Sequence, residues 1–127
     1  MNKEVISTTK APAAIGPYSQ GIKLGNLVFT SGQLPINPEN GELVSGDIGE
    51  ATKRSLENIR AILQQSGTTI DKIIKVTIFL KDLNDFAAVN VAYANFFEFH
   101  KPARSCVEVA RLPKDALIEI EAIAYVD

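Results

Sequence analysis

Two runs of alternating apolar and polar residues dominate the C-terminal part of the chain, from Pro102 to Ala124. Side chains two residues apart on a β-strand point to the same face of the sheet, so each run predicts a strand with two different faces. In the first run, one face carries Arg104, Cys106 and Glu108, and the other carries Ser105, Val107 and Val109. In the second run, one face is apolar, with Ile118, Ile120, Ala122 and Ala124, and the other carries Glu119, Glu121, Ile123 and Tyr125. We expect functional side chains on the charged faces of these strands.

The rest of the chain predicts further strands and two helices. A short strand is expected from Glu4 to Ser7, and a hairpin from Gly21 to Thr30 that turns at Gly25-Asn26. Helical spacing predicts a first helix that begins after the N-cap Asp47 and stops at Gly67. A strand is predicted from Asp71 to Lys81, with Ile74, Val76, Ile78 and Leu80 on its apolar side. A second helix follows Asp82, with a buried stripe of Phe86, Val89, Tyr93, Phe96 and Phe97. This order predicts an α+β fold, a single mixed β-sheet with two helices packed on one face.

Two helices cover only one face of such a sheet, so the other face needs an explanation. It is predicted to carry apolar residues among charged ones: Phe79, Cys106, Ile123 and Tyr125, with Lys75, Arg104, Glu108, Glu119 and Glu121. A symmetric oligomer would cover the apolar members. If the last two strands paired as a hairpin, Arg104 and Glu119 would lie about 20 Å apart along the strands. Either the strands are not hairpin neighbours, or a site that uses both residues joins two subunits.

Composition narrows the class of protein. A chain of 127 residues fits one domain, residues 1–127, and the net charge of −2 with a pI near 5.4 disfavours nucleic acid as a partner. A single cysteine and a single histidine predict neither a disulfide nor a zinc site, and no metal or cofactor is expected. No run of apolar residues is long enough for a membrane span or a secretion signal, which predicts a cytoplasmic protein without a membrane partner.

Several residues have both a chemical and a structural interpretation. Arg104 offers a planar fork for a carboxylate, Glu119 a base for a water molecule, and Cys106 a group that polarises this water or attacks as a nucleophile. The structural alternatives are a weak surface ion pair for the arginine and a small buried hydrophobe for the cysteine. The remaining candidates also have structural readings: Tyr18 as a loop aromatic at the core edge, Ser31-Gly32 as a strand end, Asn90 as an exposed helical residue and His100 as a surface residue.

Four motifs in register carry a resemblance to a known family. PARSCVEVARLPKDALIEIEAIA, AAIGPYSQ, FTSGQLP and KDLNDFAAVN occur in order over nearly the whole chain. The sequence thereby resembles the reactive intermediate deaminase (Rid) family, and within it the RidA subfamily. The resemblance implies a chorismate-mutase-like α+β domain that assembles into a homotrimer, with a barrel of sheets at its centre and a site in each cleft between subunits.

The resemblance also implies an activity and its residues. Enamine and imine acids (2-aminoacrylate, 2-iminopropanoate and 2-iminobutanoate) would be hydrolysed to 2-keto acids and ammonia without a metal or a cofactor. The carboxylate-binding arginine of the family falls on Arg104, its water-handling acid on Glu119 and its site cysteine on Cys106. Tyr18 matches the aromatic lid, and Ser31, Gly32 and Asn90 match positions that line the cleft. The alternatives are a trimeric small-molecule-binding regulatory module and, less in keeping with the acidic pI, a ribonuclease.

Overall fold

The structure is a computed structural model that describes residues 2–127. It contains, in chain order, β1 (Lys3–Ile6), β2 (Gly21–Leu24), β3 (Leu27–Thr30), α1 (Ile48–Gln65), β4 (Ile73–Leu80), α2 (Phe86–Phe97), β5 (Ala103–Glu108) and β6 (Ile118–Tyr125). The six strands form one sheet in the order β1-β2-β3-β6-β4-β5, and the pair β4-β5 is parallel while the other pairs are antiparallel. Neither helix of the described residues is long and apolar enough to cross a membrane.

One face of the sheet packs against both helices and forms the core. The cluster joins buried residues of both helices and of strands β3, β4 and β6: Val28, Ala51, Leu56, Ile59, Leu63, Ile73, Val76, Ile78, Leu80, Val89, Tyr93, Phe97, Ile118, Ile120, Ala122 and Ala124. In β6, the predicted apolar side is the buried one, and Glu119, Glu121, Ile123 and Tyr125 lie on the open face. The predicted α+β fold, with a single mixed sheet and two helices on one face, is confirmed.

The local signals for α1 and the first hairpin are confirmed. The Asp47 side chain accepts hydrogen bonds from the backbone N–H groups of Gly49 and Glu50, at 2.8 and 3.1 Å, and so caps the helix. The chain leaves α1 through Gly67, whose φ of +89° suits a residue without a side chain. The hairpin turns at Gly25-Asn26, where Gly25 has a φ of +60°.

Two predicted apolar stripes need correction. In β4, Ile73 is buried and Ile74 is 45% exposed, because a bulge between Ile73 and Lys75 shifts the alternation by one residue. In α2, Phe86 is 39% exposed at the first turn, beyond the part of the helix that meets the core. Alternation and helical spacing predict a face correctly only while the element remains regular.

The face of β5 was also predicted wrongly. Arg104, Cys106 and Glu108 align with Val76, Ile78 and Leu80 of β4, which point towards the helices, so they do not share a face with Glu119. The cause is the parallel β4-α2-β5 connection, which places α2 over β5. Because β5 is the edge strand, its helix-facing side is only half-buried and tolerates polar residues.

His100 is not a simple surface residue. Its ring is half-buried, its Nε2 lies 2.7 Å from the carbonyl oxygen of Ile73, and its ring meets Phe97 at 6.0 Å between centroids. The contact joins the segment between α2 and β5 to the start of β4. The described contacts of His100 are therefore structural.

Candidate functional site

A cavity of about 730 Å³ lies beside the start of β6 on the open face of the sheet. Four of the residues predicted for the site line it: Tyr18, Ser31, Gly32 and Glu119. Its other walls are largely apolar and come from loops, with Pro12, Ile15, Leu34, Ile36 and Pro113 among them. Such a cavity, with few polar groups in an apolar lining, suits a small organic ligand.

Gly32 and Glu119 are in close contact in this cavity. A bridge between Gln33 and Ile120, with N–H···O distances of 2.7 and 3.1 Å, holds the segment after β3 against β6. A Cβ atom on residue 32 would lie 2.8 Å from the Cδ of Glu119, which is shorter than van der Waals contact. The glycine therefore makes room for the carboxyl group, and this is the physical reason for Gly at this position.

The Glu119 carboxyl group is half-buried and lies on the same face as Glu121. Burial raises its pKa, and the negative charge of Glu121 raises it further. A carboxylate with a raised pKa is a stronger base than an exposed one, which favours proton transfer at this position.

Ser31 and Tyr18 belong to the loop side of the cavity. The Ser31 N–H donates to the carbonyl oxygen of Gln20 at 2.9 Å, and its hydroxyl donates to the carbonyl oxygen of Ser19 at 2.5 Å. Tyr18 is 53% exposed, so it does not plug the core edge. Its ring stands at the cavity wall, where a ligand would meet it.

Arg104 lies in a second group of the predicted site residues, under α2. Its Nη1 donates to the Oδ1 of Asn90 at 2.8 Å, and its guanidinium carbon lies 4.8 Å from the ring centroid of Tyr93 and 5.5 Å from that of Phe86. Asn90 is half-buried, which corrects its reading as an exposed helical residue. No salt bridge within residues 2–127 involves Arg104. The arginine is therefore held in place by neutral partners, and its positive charge is available to an anionic ligand.

Cys106 lies two residues further along the same face of β5 and packs partly against the core. Burial raises the pKa of its thiol, and the nearby positive charge of Arg104 only partly opposes this effect. Burial also raises the pKa of Tyr93 to about 12, although Arg104 lowers it. Both groups stay protonated at neutral pH, so Cys106 is a weak nucleophile in this setting.

Within this single chain, the two groups of predicted site residues lie on opposite sides of the sheet. Glu119 aligns with Phe79 of β4, and Phe79 aligns with Val107 of β5, whose neighbours Cys106 and Glu108 point the other way. Strand β4 separates β5 from β6, so the hairpin pairing considered above does not occur. The chain thus brings together two separate groups, one of Tyr18, Ser31, Gly32 and Glu119 and the other of Asn90, Arg104 and Cys106.

Sequence reasoning missed the aromatic support of Arg104. Phe86 and Tyr93 were predicted only as parts of a buried stripe, yet both rings lie against the guanidinium group. Spacings of four and three residues place Phe86, Asn90 and Tyr93 on one side of α2, which was the available signal. Among residues 2–127, no group of three or more His, Cys, Asp or Glu side chains is arranged to hold a metal ion.

Comparison with known proteins gives the family. The family model described as Endoribonuclease L-PSP matches residues 8–126. The chain belongs to this family. Its members include a RutC family protein of Pyrococcus abyssi, which is 62% identical over 98% of each chain. They also include the 2-iminobutanoate/2-iminopropanoate deaminase of Escherichia coli K12, which is 56% identical over 95% of this chain and 96% of that protein.

One similar protein has been crystallised with a ligand bound to it. The crystal structure of Escherichia coli TdcF with bound serine is 51% identical, covers 98% of this chain and 99% of its own, and superposes with a TM-score of 0.94. The Rid resemblance is thus confirmed at the level of the family. Because one description names a ribonuclease and another a deaminase, the reaction of this member has to be argued from its site.

Proposed function

We propose that this protein hydrolyses 2-imino and 2-enamino acids, among them 2-iminopropanoate, 2-iminobutanoate and 2-aminoacrylate, to 2-keto acids and ammonia. The proposal rests chiefly on the contacts of Arg104. Asn90 and Tyr93 hold its guanidinium group in place without neutralising its charge, so it can bind a carboxylate. The 56% identity to a protein named 2-iminobutanoate/2-iminopropanoate deaminase supports the same reaction.

We further propose a cytoplasmic homotrimer with its sites between subunits. Asn90, Arg104 and Cys106 of one subunit would meet the cavity of Tyr18, Ser31, Gly32 and Glu119 in the next. The separation of the two groups on opposite faces of the sheet supports this arrangement. So does the apolar surface of the open face, where Phe29, Val107 and Tyr125 are 39%, 45% and 37% exposed and an assembly would cover them.

The proposed mechanism is a hydrolysis without a cofactor. Arg104 binds the substrate carboxylate, and Glu119 takes a proton from a water molecule as the water oxygen attacks the electrophilic imine carbon. The C=N π electrons move to the nitrogen, which takes the proton from Glu119. In the second step Glu119 takes the proton of the new hydroxyl group and passes it to the nitrogen as the C–N bond breaks, so ammonia leaves and the C=O bond of the keto acid forms. The enamine 2-aminoacrylate enters this sequence as its imine tautomer, 2-iminopropanoate. Cys106 helps to hold the water as a neutral thiol, and Tyr18 closes the cavity.

The neutral thiol makes a covalent mechanism the less favoured one. Cys106→Ser should therefore keep most of the activity, because a hydroxyl also holds a water molecule. Complete loss of turnover in both Cys106→Ser and Cys106→Ala would argue for covalent chemistry at the sulfur.

A ligand-sensing module is the second candidate, and the relative with bound serine favours it. A sensor needs Arg104 to bind a carboxylate but has no use for Glu119 as a base. In Glu119→Ala, loss of deamination with unchanged affinity for a keto acid would support the enzyme. Full deamination by that variant would contradict the mechanism.

The test couples the purified protein to a serine or threonine dehydratase and follows the decay of the released imine. Wild-type protein should speed the decay, and Arg104→Ala should not.

To test the shared site, Arg104→Ala and Glu119→Gln chains are co-expressed. In a trimer with sites between subunits, random mixing leaves both Arg104 and Glu119 intact in about a quarter of all sites, so about a quarter of the wild-type activity should return. No recovery above the separate variants would refute the shared site, and no acceleration by folded wild-type protein would favour the sensor.

A further inference from the structure

Gln20 belongs to the loop wall of the cavity, and its side chain makes four hydrogen bonds to one segment. It is 4% exposed. Its Oε1 accepts from the N–H of Thr8 at 2.7 Å, and its Nε2 donates to the carbonyl oxygens of Thr8, Ala11 and Pro12 at 3.0, 3.3 and 2.7 Å. One side chain therefore supplies donors and an acceptor to the backbone of residues 8–12.

This segment needs such partners because it has no regular structure. Residues 7–20 form neither helix nor strand, and the described backbone bond between two of these residues joins the N–H of Tyr18 to the carbonyl oxygen of Gly16. The same stretch contributes Pro12, Ala13, Ile15 and Tyr18 to the wall of the 730 Å³ cavity. Without Gln20, the buried carbonyl group of Ala11 and the half-buried ones of Thr8 and Pro12 would lose this donor.

Gln20 also joins the wall to the catalytic side of the cavity. Its backbone carbonyl oxygen accepts the N–H of Ser31 at 2.9 Å, and the preceding carbonyl, of Ser19, accepts the Ser31 hydroxyl. Ser31 precedes Gly32, which contacts Glu119. One residue thus connects the segment that carries Tyr18 to the segment that lies against the proposed base.

We infer that Gln20 is a positioning residue that sets how closely the loop wall, with Ile15 and Tyr18, approaches a bound ligand. The inference rests on the proposed function, because it takes a small 2-keto or 2-imino acid as the ligand of this cavity. Gln20 itself is not assigned a contact with the substrate. Its loss should therefore weaken binding and leave the chemical step at Glu119 largely unchanged.

Two variants of Gln20 test the contacts directly. Gln20→Glu keeps the size of the side chain and the acceptor for Thr8, but a carboxyl group has at most one O–H donor in place of the two amide N–H donors that serve the three carbonyl groups. Gln20→Met keeps the approximate size and removes all four hydrogen bonds. Thr8→Pro removes the N–H that donates to Gln20 without changing the buried residue, so it serves if a buried substitution prevents folding. Gln64→Glu makes the same chemical change at an exposed position of α1 and is the matched control.

The first measurement is independent of turnover. Trypsin cleavage after the exposed Lys10 and hydrogen exchange at the Thr8 amide report whether residues 8–12 are held in place. Trypsin cleavage should become about tenfold or more faster in all three variants, as expected for losing hydrogen bonds that hold the segment. Exchange at the Thr8 amide should rise by a similar factor in the two Gln20 variants, since Thr8→Pro has no amide proton at this position. Both rates should stay unchanged in Gln64→Glu. Unchanged protection in the variants would overturn the inference.

The second measurement is the Kd for 2-oxobutanoate, the keto acid product of 2-iminobutanoate, together with KM and kcat from the coupled imine assay. Kd and KM should rise about tenfold, while kcat stays within about twofold of wild type. A loosened segment with unchanged Kd, or a loss confined to kcat, would overturn the positioning role.

If wild type binds the keto acid but does not hydrolyse the imine, the proposed function fails, while the Kd values still decide the role of Gln20. If wild type binds no keto acid, both fail.

Discussion

Replacing Gly32 with alanine tests whether the contact with Glu119 matters for function. The new Cβ would lie 2.8 Å from the Cδ of Glu119 and 3.0 Å from its Oε1, whereas ordinary van der Waals contact begins at 3.4 Å. The carboxyl group must move by about 0.6 Å, or the backbone must shift, at a cost of about 1–3 kcal/mol in the free energy of unfolding. A misplacement of about 1 Å costs roughly 100-fold in rate, so we expect kcat/KM to fall on the order of tenfold.

The matched control is Gly46→Ala, since no atom lies within 4 Å of a Cβ built at Gly46 and its backbone is not in the left-handed region. Urea unfolding gives the stability change, and the coupled imine assay gives the rate. If the effect on rate acts through the carboxylate, Gly32→Ala should lower the residual activity of Glu119→Gln by less than about twofold. Wild-type activity in Gly32→Ala, or fully additive losses in the double variant, would refute the reasoning.

Three further predictions concern the ionisation of Glu119, the ring beside Arg104 and the cap of α1. Because burial raises the pKa of Glu119, ionisation of this carboxyl destabilises the fold, and Glu119→Gln should raise the melting temperature at neutral pH. The gain should shrink as the pH falls through the raised pKa of the folded state and vanish below 4.5, the ordinary pKa of the group, where the wild-type carboxyl is protonated in both states. Equal gains across this range would contradict the raised pKa. Tyr93→Phe keeps a ring under Arg104 and should leave KM within about twofold of wild type, whereas Tyr93→Leu loses a cation–π contact and should raise KM roughly 2- to 30-fold. Steady-state rates of the imine assay give the KM values, and equal values for the two variants would argue against a role for the ring. Asp47→Ala removes the helix cap and should lower the free energy of unfolding by about 1 kcal/mol with KM unchanged, as measured by urea unfolding and the imine assay.

Local features of the chain were predictable because local geometry decides them. The cap at Asp47, the stop at Gly67 and the turn at Gly25-Asn26 depend on residues that are close in sequence. The two faces of β6 were predicted for the same reason, since alternation follows from the backbone of an extended strand. The family motifs also placed the candidate site residues, although their roles remain predictions.

Alternation separates the two faces of a strand but cannot say which one meets the helices. For β5 this depended on the parallel pairing with β4 and on α2 lying above it, and both are contacts between distant parts of the chain. The same holds for the approach of Gly32 to Glu119 and for the bonds from Gln20 to residues 8–12. Residue type and spacing therefore identified the candidate groups. Only the packed sheet decided that Arg104 and Glu119 lie on opposite faces, because the direction of a side chain relative to the sheet depends on strand order and register.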